Sequence, residues 1–536
     1  MKPTPEQRAI LDAAATGEPV AISAGAGTGK TSTLRLIAQS RPQTRMLYVA
    51  YNKAIQTDAA RSFPQNVECR TAHSLAHAEF GAPMRARLTG PRQRGDQVAA
   101  ILGIKRGIPR SVPTARSAEY DPGQLGAWTM GIVARFCRSA DPTITARHYR
   151  PADGVPAEDE AALASALVPY ARAAWADITA GPAGRLKPTH DMYLKAWQLS
   201  KPRLTGWDVI LYDEAQDADP AIADVVEHQD HAQLIAVGDS AQAIYGWRGA
   251  GDFLHRVHAT HRLRLTQSWR FGQAVADEAN VWLDVIGTDM RISGNPGRVS
   301  TIGPVDTPDA ILCRSNAGTV GVVLDAQADG VRVHLVGDGK EMLALARAAD
   351  RMQAGQPASH PELAAFSSWR EVTDYAENDP TGSDLAVAVR IINRYSPRVV
   401  TAAIESCVPA STAQLVVSTA HKAKGLEWKT VRIADDFREP LDPRTGRPLP
   451  VPTADAMLAY VTVTRAMDTL DTGGLAWIHD HQAALASPPP TEPEAARPPT
   501  PSRPRRQPRL APVTLGDPPC ECMPASPLPA SPLPSL

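Results

Sequence analysis

The sequence predicts an α/β fold of two parallel-sheet lobes, each carrying a mainly helical insertion, followed by a disordered Pro-rich tail. Three observations predict it. Apolar runs of strand length recur in two series, one run leads into a glycine-rich loop and then a helix-compatible segment, and long Ala-rich stretches interrupt each series. With 536 residues the chain also exceeds what one hydrophobic core serves, because cores stop growing at roughly 250 to 300 residues.

The first series is PVAISA (19–24), MLYVAY (46–51), WDVILYDEA (207–215) and QLIAVGD (233–239). Continuous Val, Ile and Leu runs of this length suit strands covered on both faces of a parallel sheet. AILCRS (310–315), VRVHLVG (331–337), QLVVSTA (414–420) and TVRIADD (430–436) form the second series. The gap between the second and third runs of the first series is too long for an ordinary connection. The expected layout is therefore a first lobe at 1–75 and 205–262 and a helical insertion at 76–204. A second lobe follows at 263–340 and 412–480, with a shorter insertion at 341–411. Residues 481–536 run into SPPPTEPEAARPPTPSRPRRQPRLAP and a repeated ASPLP, with too few large apolar side chains to bury a core, so this tail is expected to be disordered.

Hydrophobic residues at 43%, charged residues at 21% and a net charge of -1 describe an ordinary globular chain and do not by themselves point to nucleic acid. One segment does: Arg85, Arg87, Arg92, Arg94, Lys105, Arg106, Arg110 and Arg116 face a single acid, Asp96, either as a phosphate-facing surface or as a solvated loop. The N-terminus has no signal-peptide pattern and no stretch has 18 consecutive apolar residues, so a cytoplasmic protein without membrane contact is expected. The six cysteines are scattered. Cys520 and Cys522 lack the second pair that a structural metal site needs.

Chemistry concentrates at the strand ends. PVAISA runs into AGAGTGKT, where Ala24, Gly25, Ala26, Gly27, Thr28 and Gly29 can turn backbone N–H groups toward phosphates at a helix N-terminus. Lys30 can reach the β- and γ-phosphates, Thr31 can coordinate Mg²⁺, and Ser32 opens the helix. The first glycine of the usual pattern is replaced by Ala24. The third run ends in Asp213 and Glu214, where parallel strands present their C-terminal ends to a ligand. That pairing suits Asp213 to hold Mg²⁺ through water and Glu214 to orient and deprotonate the attacking water. Arg270 and Arg465, both assigned to the second lobe, are placed to stabilise charge on a transferring phosphoryl group when the lobes close.

TPEQRAIL, AGAGTGKT, AYNKA, TAHSLA, DEAQD, VGDSAQAIYGWRGA, LTQSWR, STAHKAKGLEW and AYVTVTRA together resemble the ordered motifs of UvrD/Rep-type helicases of superfamily 1. VAYNKAIQTDAARSFPQNVECRTAHSLAH and THDMYLKAWQLSKP are most similar to the F-box DNA helicase branch, although no F-box is expected ahead of the motor. The resemblance implies two RecA-like P-loop NTPase lobes, ATP and Mg²⁺ as cofactors, and 3′ to 5′ movement along single-stranded DNA with duplex unwinding. It implies that Gln7 reads the adenine edge, that Trp269, at the place of a family tyrosine, stacks on the base, and that Glu427 contacts the ribose. Gln242 would sense the γ-phosphate, supported by Asp239.

For the DNA strand, Tyr245, Trp247 and Arg248 place two aromatics and a cation in a glycine-flanked run, a surface on which bases of any sequence can stack. Tyr51, Asn52, Thr71, His73, His421 and Lys422 match family positions that face the strand. There are departures: Ala50 stands where many relatives have an aromatic, Asp455 is what remains of an acidic pair, and the second insertion is short. The alternatives are a translocase that strips proteins from DNA, with recombinase or replication proteins as partners, and a nucleotide-regulated DNA-binding scaffold. The chain is expected to act as a monomer in DNA repair, recombination or replication.

Overall fold

The computed structural model describes residues 2–50, 52–89, 93–112, 118–151, 155–244, 252–337, 339–357, 360, 363, 366–378 and 383–486. Tyr51, Tyr245, Trp247, Arg248 and the tail beyond residue 486 lie outside the described residues, so the expectations for them do too.

The first lobe begins with the helix Pro5–Ala15, started by a capping box in which Thr4 and Gln7 exchange side-chain and backbone hydrogen bonds. Strands β1 (Val20–Ala24), β2 (Met46–Ala50) and β3 (Val67–Thr71) follow; β4 (Ile108–Pro109) and β5 (Glu119–Tyr120) pair antiparallel within the first insertion. The lobe is completed by β6 (Val209–Tyr212), β7 (Gln233–Gly238) and β8 (His261–Leu265). Its sheet runs β3-β2-β6-β7-β1-β8, with every pairing parallel. Both faces are covered. Val20, Ile22, Val209, Leu211, Ile235 and Val237 enter one core with the helices Pro5–Ala15 and Lys30–Ser40, while Ala21, Ile210, Leu234 and Ala236 enter the other. That split follows the period-two alternation of a strand.

The second lobe repeats the architecture with β9 (Thr301–Ile302), β10 (Ala310–Cys313), β11 (Val333–Leu335), β12 (Leu415–Thr419), β13 (Trp428–Ile433) and β14 (Ala466–Asp471). These lie in the order β11-β12-β10-β13-β14-β9, again all parallel. Ala310 and Leu312 pack with the helices Gln273–Ile286 and Thr453–Val463 on one face. Ile311 and Cys313 pack on the other.

The two insertions are built differently. Between Val98 and Met192 the first has a core of its own, in which Leu125, Phe136, Leu163 and Ile178 meet and no strand of the six-stranded sheets takes part. The second supplies Met342, Leu345, Val400 and Ile404 to the core that covers Ile311, Cys313 and Val417, so it is one layer of the second lobe.

Two expectations are corrected. Strand β8 crosses the expected boundary at 262/263 and hydrogen-bonds to β1, so it belongs to the first lobe. Residues 481–486 are not tail: they complete the helix Ile478–Ala486, with His481 buried and its ring nitrogens against Glu439 Oε1 (2.8 Å) and the Leu449 carbonyl (3.0 Å). Arg270 lies in the crossover that leaves β8 and enters the helix Gln273–Ile286, beside Phe271, which packs in the core shared with Ala310 and Leu312.

Candidate active site

The glycine-rich loop turns between β1 and the helix Lys30–Ser40. Gly27 and Gly29 have φ of 71° and 85°, the left-handed region where a Cβ is costly. Close approach forces the choice as well, because a Cβ on Gly27 would come within 2.7 Å of Arg270 Cβ. The loop thus packs directly against the crossover, and the Trp269 N–H donates to the Gly27 carbonyl at 2.8 Å. Ala24 and Ala26 are buried beneath it, and Thr28 Oγ1 donates to the Gly25 carbonyl at 2.8 Å.

Lys30 Nζ stands 3.1 Å from Glu214 Oε2. One helical position on, Thr31 Oγ1 donates to Asp213 Oδ2 at 2.9 Å, and the buried Tyr48 hydroxyl donates to the same oxygen at 2.8 Å. Burial pushes the Asp213 carboxyl up, reinforced by the charge of Glu214. Burial also acts upward on Glu214, but Lys30 and then Lys424 outweigh it and hold this carboxyl down at about 2. Lys30 is raised: burial acts against its charge, and Glu214, Asp239 and Asp213 more than compensate. Glu214 adopts φ 53° and ψ 41°, left-handed for a non-glycine residue. Such a backbone costs about 1 to 3 kcal/mol and persists only where its surroundings impose it. Here Asp213 Oδ1 accepts the Glu214 N–H at 2.9 Å, and Gln216 Nε2 donates to Glu214 Oε2 at 2.6 Å.

Asp239, at the end of β7, is buried, and burial raises its carboxyl. Its Oδ2 accepts Gln242 Nε2 at 2.6 Å and the Tyr460 hydroxyl at 3.0 Å. Lys424 Nζ donates to the Gln242 carbonyl at 2.5 Å and pairs with Asp217, tying the segment after β12 to the first lobe. Burial pushes Asp217 up to about 6 despite that pairing. Neither Tyr460 nor Lys424 was singled out from sequence, although each lies inside a motif that was.

The two arginines converge on the second lobe. Arg270 Nε meets Glu427 Oε2 at 2.5 Å, and its Nη1 donates to the Thr464 carbonyl at 3.1 Å. Arg465 is fully buried, donating to the carbonyls of Val461 (2.8 Å) and Leu426 (3.1 Å) and to Thr464 Oγ1 (3.0 Å). Burial, with the charge of Arg270, pushes Arg465 down to about 9. Gln7 and Trp269 flank Gly29. The buried Gln7 amide is engaged by Thr4 N–H and Thr33 Oγ1, each at 3.1 Å, whereas Trp269 is 39% exposed. Ser32 Oγ accepts a long contact from Arg35, at 3.4 Å.

Several residues assigned to the strand also have local structural tasks. Asn52 and Thr71 cap helices, accepting N–H groups from Ile55 (2.9 Å) and Ser74 (3.1 Å). His73 Nε2 faces Asp191 of the first insertion at 3.4 Å, and Lys422 Nζ reaches Asn316 Oδ1 at 3.2 Å. His421 lies in the short helix Ala420–Ala423 that follows β12. The Arg85–Arg116 segment is not a uniform basic face. Arg87 is spent on the carbonyls of Ile178, Gly181 and Leu186, Arg94 pairs with Asp96 at 2.7 Å, and Arg110 lies 4.1 Å from the Tyr120 ring centroid. Arg92 and Arg116 are outside the described residues.

The oxygen pair of Thr31 and Asp213 fits Mg²⁺, which takes hard oxygen donors and usually one or two carboxylates plus substrate phosphates. Among the described residues no helix is long and apolar enough to cross a membrane.

The sequence matches a family described as an AAA domain over residues 7–248. F-box DNA helicase protein 1 of Schizosaccharomyces pombe is 30% identical over 478 residues, covering 82% of this chain and 53% of that protein. F-box DNA helicase 1 of Gallus gallus is 32% identical over 514 residues, covering 88% and 49%. A shorter match joins 30% of the chain to 16% of the RecBCD enzyme subunit RecB of Mycobacterium tuberculosis, at 29% identity. The chain therefore spans about half the length of the F-box DNA helicases it matches.

Proposed function

We propose that this chain, which belongs to the UvrD/Rep-like family of superfamily 1, hydrolyses ATP with Mg²⁺ where its two lobes meet and uses the cycle to move 3′ to 5′ along single-stranded DNA and unwind duplexes. One observation carries this reading: Lys30 beside Glu214 and Thr31 beside Asp213 form a single shelf on the first lobe, and Arg270 rests on the phosphate loop of that shelf while its guanidinium is held by the second lobe.

Lys30 is neutralised by Glu214 at 3.1 Å, so triphosphate oxygens compete for the ammonium and release the carboxylate. Freed of Lys30, Glu214 becomes a stronger base at the place where water must be oriented. Thr31 and Asp213 would hold Mg²⁺, which when bound would supply neutralisation of charge at the phosphates. Arg270 and Arg465 supply cationic stabilisation when the lobes close, which for Arg465 means exchanging carbonyl partners for phosphate. Gln7 and Trp269 bracket the base, Glu427 the ribose, and Gln242 reports on the γ-phosphate. Asn52, Thr71, His73, His421 and Lys422, with Tyr51, Tyr245, Trp247 and Arg248, form the strand track. Polarity and a role in repair, recombination or replication rest on the family resemblance.

The test is steady-state ATP hydrolysis with and without single-stranded DNA at one fixed salt concentration, since phosphate contacts make binding salt-dependent. Strong stimulation is expected; ATP binding without stimulated turnover would leave the scaffold reading. A second reading, protein stripping with little unwinding, is favoured by the described residues of the second insertion packing into the core of its lobe. Strand displacement on 3′- and 5′-tailed duplexes, run beside translocation on single strands, separates the two and measures polarity.

A further inference from the structure

We infer that Tyr460 is a positioning residue: its hydroxyl couples the phosphate loop to Gln242 and Glu214 across the seam between the lobes. The inference rests on the ATPase reading above and adds to it a residue and a route.

Tyr460 lies in the helix Thr453–Val463 and is completely buried. Its hydroxyl accepts the Ala26 N–H of the phosphate loop at 3.0 Å and donates to Asp239 Oδ2 at 3.0 Å. The roles are fixed by chemistry, because an N–H can only donate and a carboxylate can only accept. The same carboxylate oxygen accepts Gln242 Nε2 at 2.6 Å. The Asp239 backbone N–H donates to Gln216 Oε1 at 2.9 Å, and Gln216 passes on to Glu214 Oε2 at 2.6 Å. Phosphate loop, Gln242 and Glu214 are therefore joined through one residue, Asp239: its carboxylate holds Gln242 and the Tyr460 phenol that holds the loop, and its backbone N–H leads through Gln216 to Glu214. Burial, then the charge of Asp239, raises the phenol well above its ordinary acidity, so it stays a neutral donor at every working pH.

A core tyrosine needed only for its ring would tolerate loss of the oxygen. Here the loss strands the Ala26 N–H and removes one of the donors to Asp239, both in a water-poor seam where unmet polar groups are expensive. When the lobes separate, these bonds must part together, which links loop geometry to the side chain that faces the γ-phosphate.

The experiment uses the full chain and Tyr460→Phe, which keeps the ring. DNA-stimulated kcat is expected to fall about tenfold to a hundredfold, as for loss of a hydrogen bond to a charged group. KM for ATP should stay within about twofold, since a positioning defect removes transition-state contacts more than ground-state binding. Gln242→Ala and the double variant close a cycle, and the double variant should lose no more than the worse single one, as residues acting in one unit do. Wild-type kcat in Tyr460→Phe, or losses that multiply in the double variant, would overturn the inference. If Tyr460→Phe does not fold, fluorotyrosines at 460 keep the ring and acidify the hydroxyl; kcat that is indifferent to fluorination then counts against it. A wild-type chain without ATP turnover would instead sink the ATPase reading, so the two failures are distinguishable.

Discussion

The two lobes share an architecture and face the seam with opposite ends of their strands. In the first, Lys30, Asp213 and Asp239 all follow strands, coming after β1, β6 and β7. In the second, Glu427 and Arg465 immediately precede β13 and β14. The C-terminal edge of a parallel sheet is where successive loops open a crevice, and the first lobe fills it with a lysine and three carboxylates that perturb one another. The second lobe sends a phenol and Lys424 across to first-lobe groups, whereas Arg465 is met by carbonyls of its own lobe. On the proposed reading, one lobe holds the reacting groups and the other holds the condition for using them.

That division predicts graded losses. Lys30→Ala should abolish ATP turnover, because it removes the phosphate contact and leaves Glu214 and Asp213 facing one another without their cation; turnover near wild type would break the comparison at its root. Glu214→Gln is expected to retain ATP binding, read by equilibrium nucleotide fluorescence, while kcat drops by about 10³, within the range for a general base. Arg270→Ala should cost about 10² in kcat, comparable to removing one preorganised donor, and most of the loss should appear in the DNA-stimulated rate. An equal loss with and without DNA would mean that Arg270 acts as a fixed part of the first lobe.

The last effect is on stability and concerns the Lys424–Asp217 link. Asp217 is raised, so protonation favours the folded state: its contribution is fully present below the unfolded value near 3.9 and is lost as pH rises through about 6. Asp217→Asn should therefore match the wild type in stability at low pH and exceed it by up to about 3 kcal/mol above pH 6, read as a melting-temperature difference that opens between those limits. A difference that does not change with pH would mean that Lys424 keeps the carboxylate ionised throughout.

The sequence made the buried strands readable and the edge strands not. β1, β2, β6 and β7 are apolar on both faces and stand out as continuous runs. β3 (VECRT) and β8 (HRLRL) close the two edges of the first sheet and β9 (TI) one edge of the second, where partial exposure permits polar residues and no run forms. Missing β8 is also what displaced the lobe boundary. In the site, Lys30, Thr31, Asp213 and Glu214 were legible because their spacing repeats a local motif. Tyr460 was not: its partners Ala26 and Asp239 are 434 and 221 positions away, and a tyrosine within AYVTV reads as core.

Strand order has one more consequence, for how the chain is made. β1 emerges early in synthesis but lies between β7 and β8, so the first sheet cannot close until residue 265 has left the ribosome. β10 likewise waits for β12 and β13 on either side of it. The first body with all its apolar partners in hand is the first insertion, complete by Met192, while the strands around it are still unpaired. The nascent chain therefore carries a folded helical knot ahead of its motor. Slow decoding between residues 193 and 265 would lengthen the time for which β1 lacks β7 and β8.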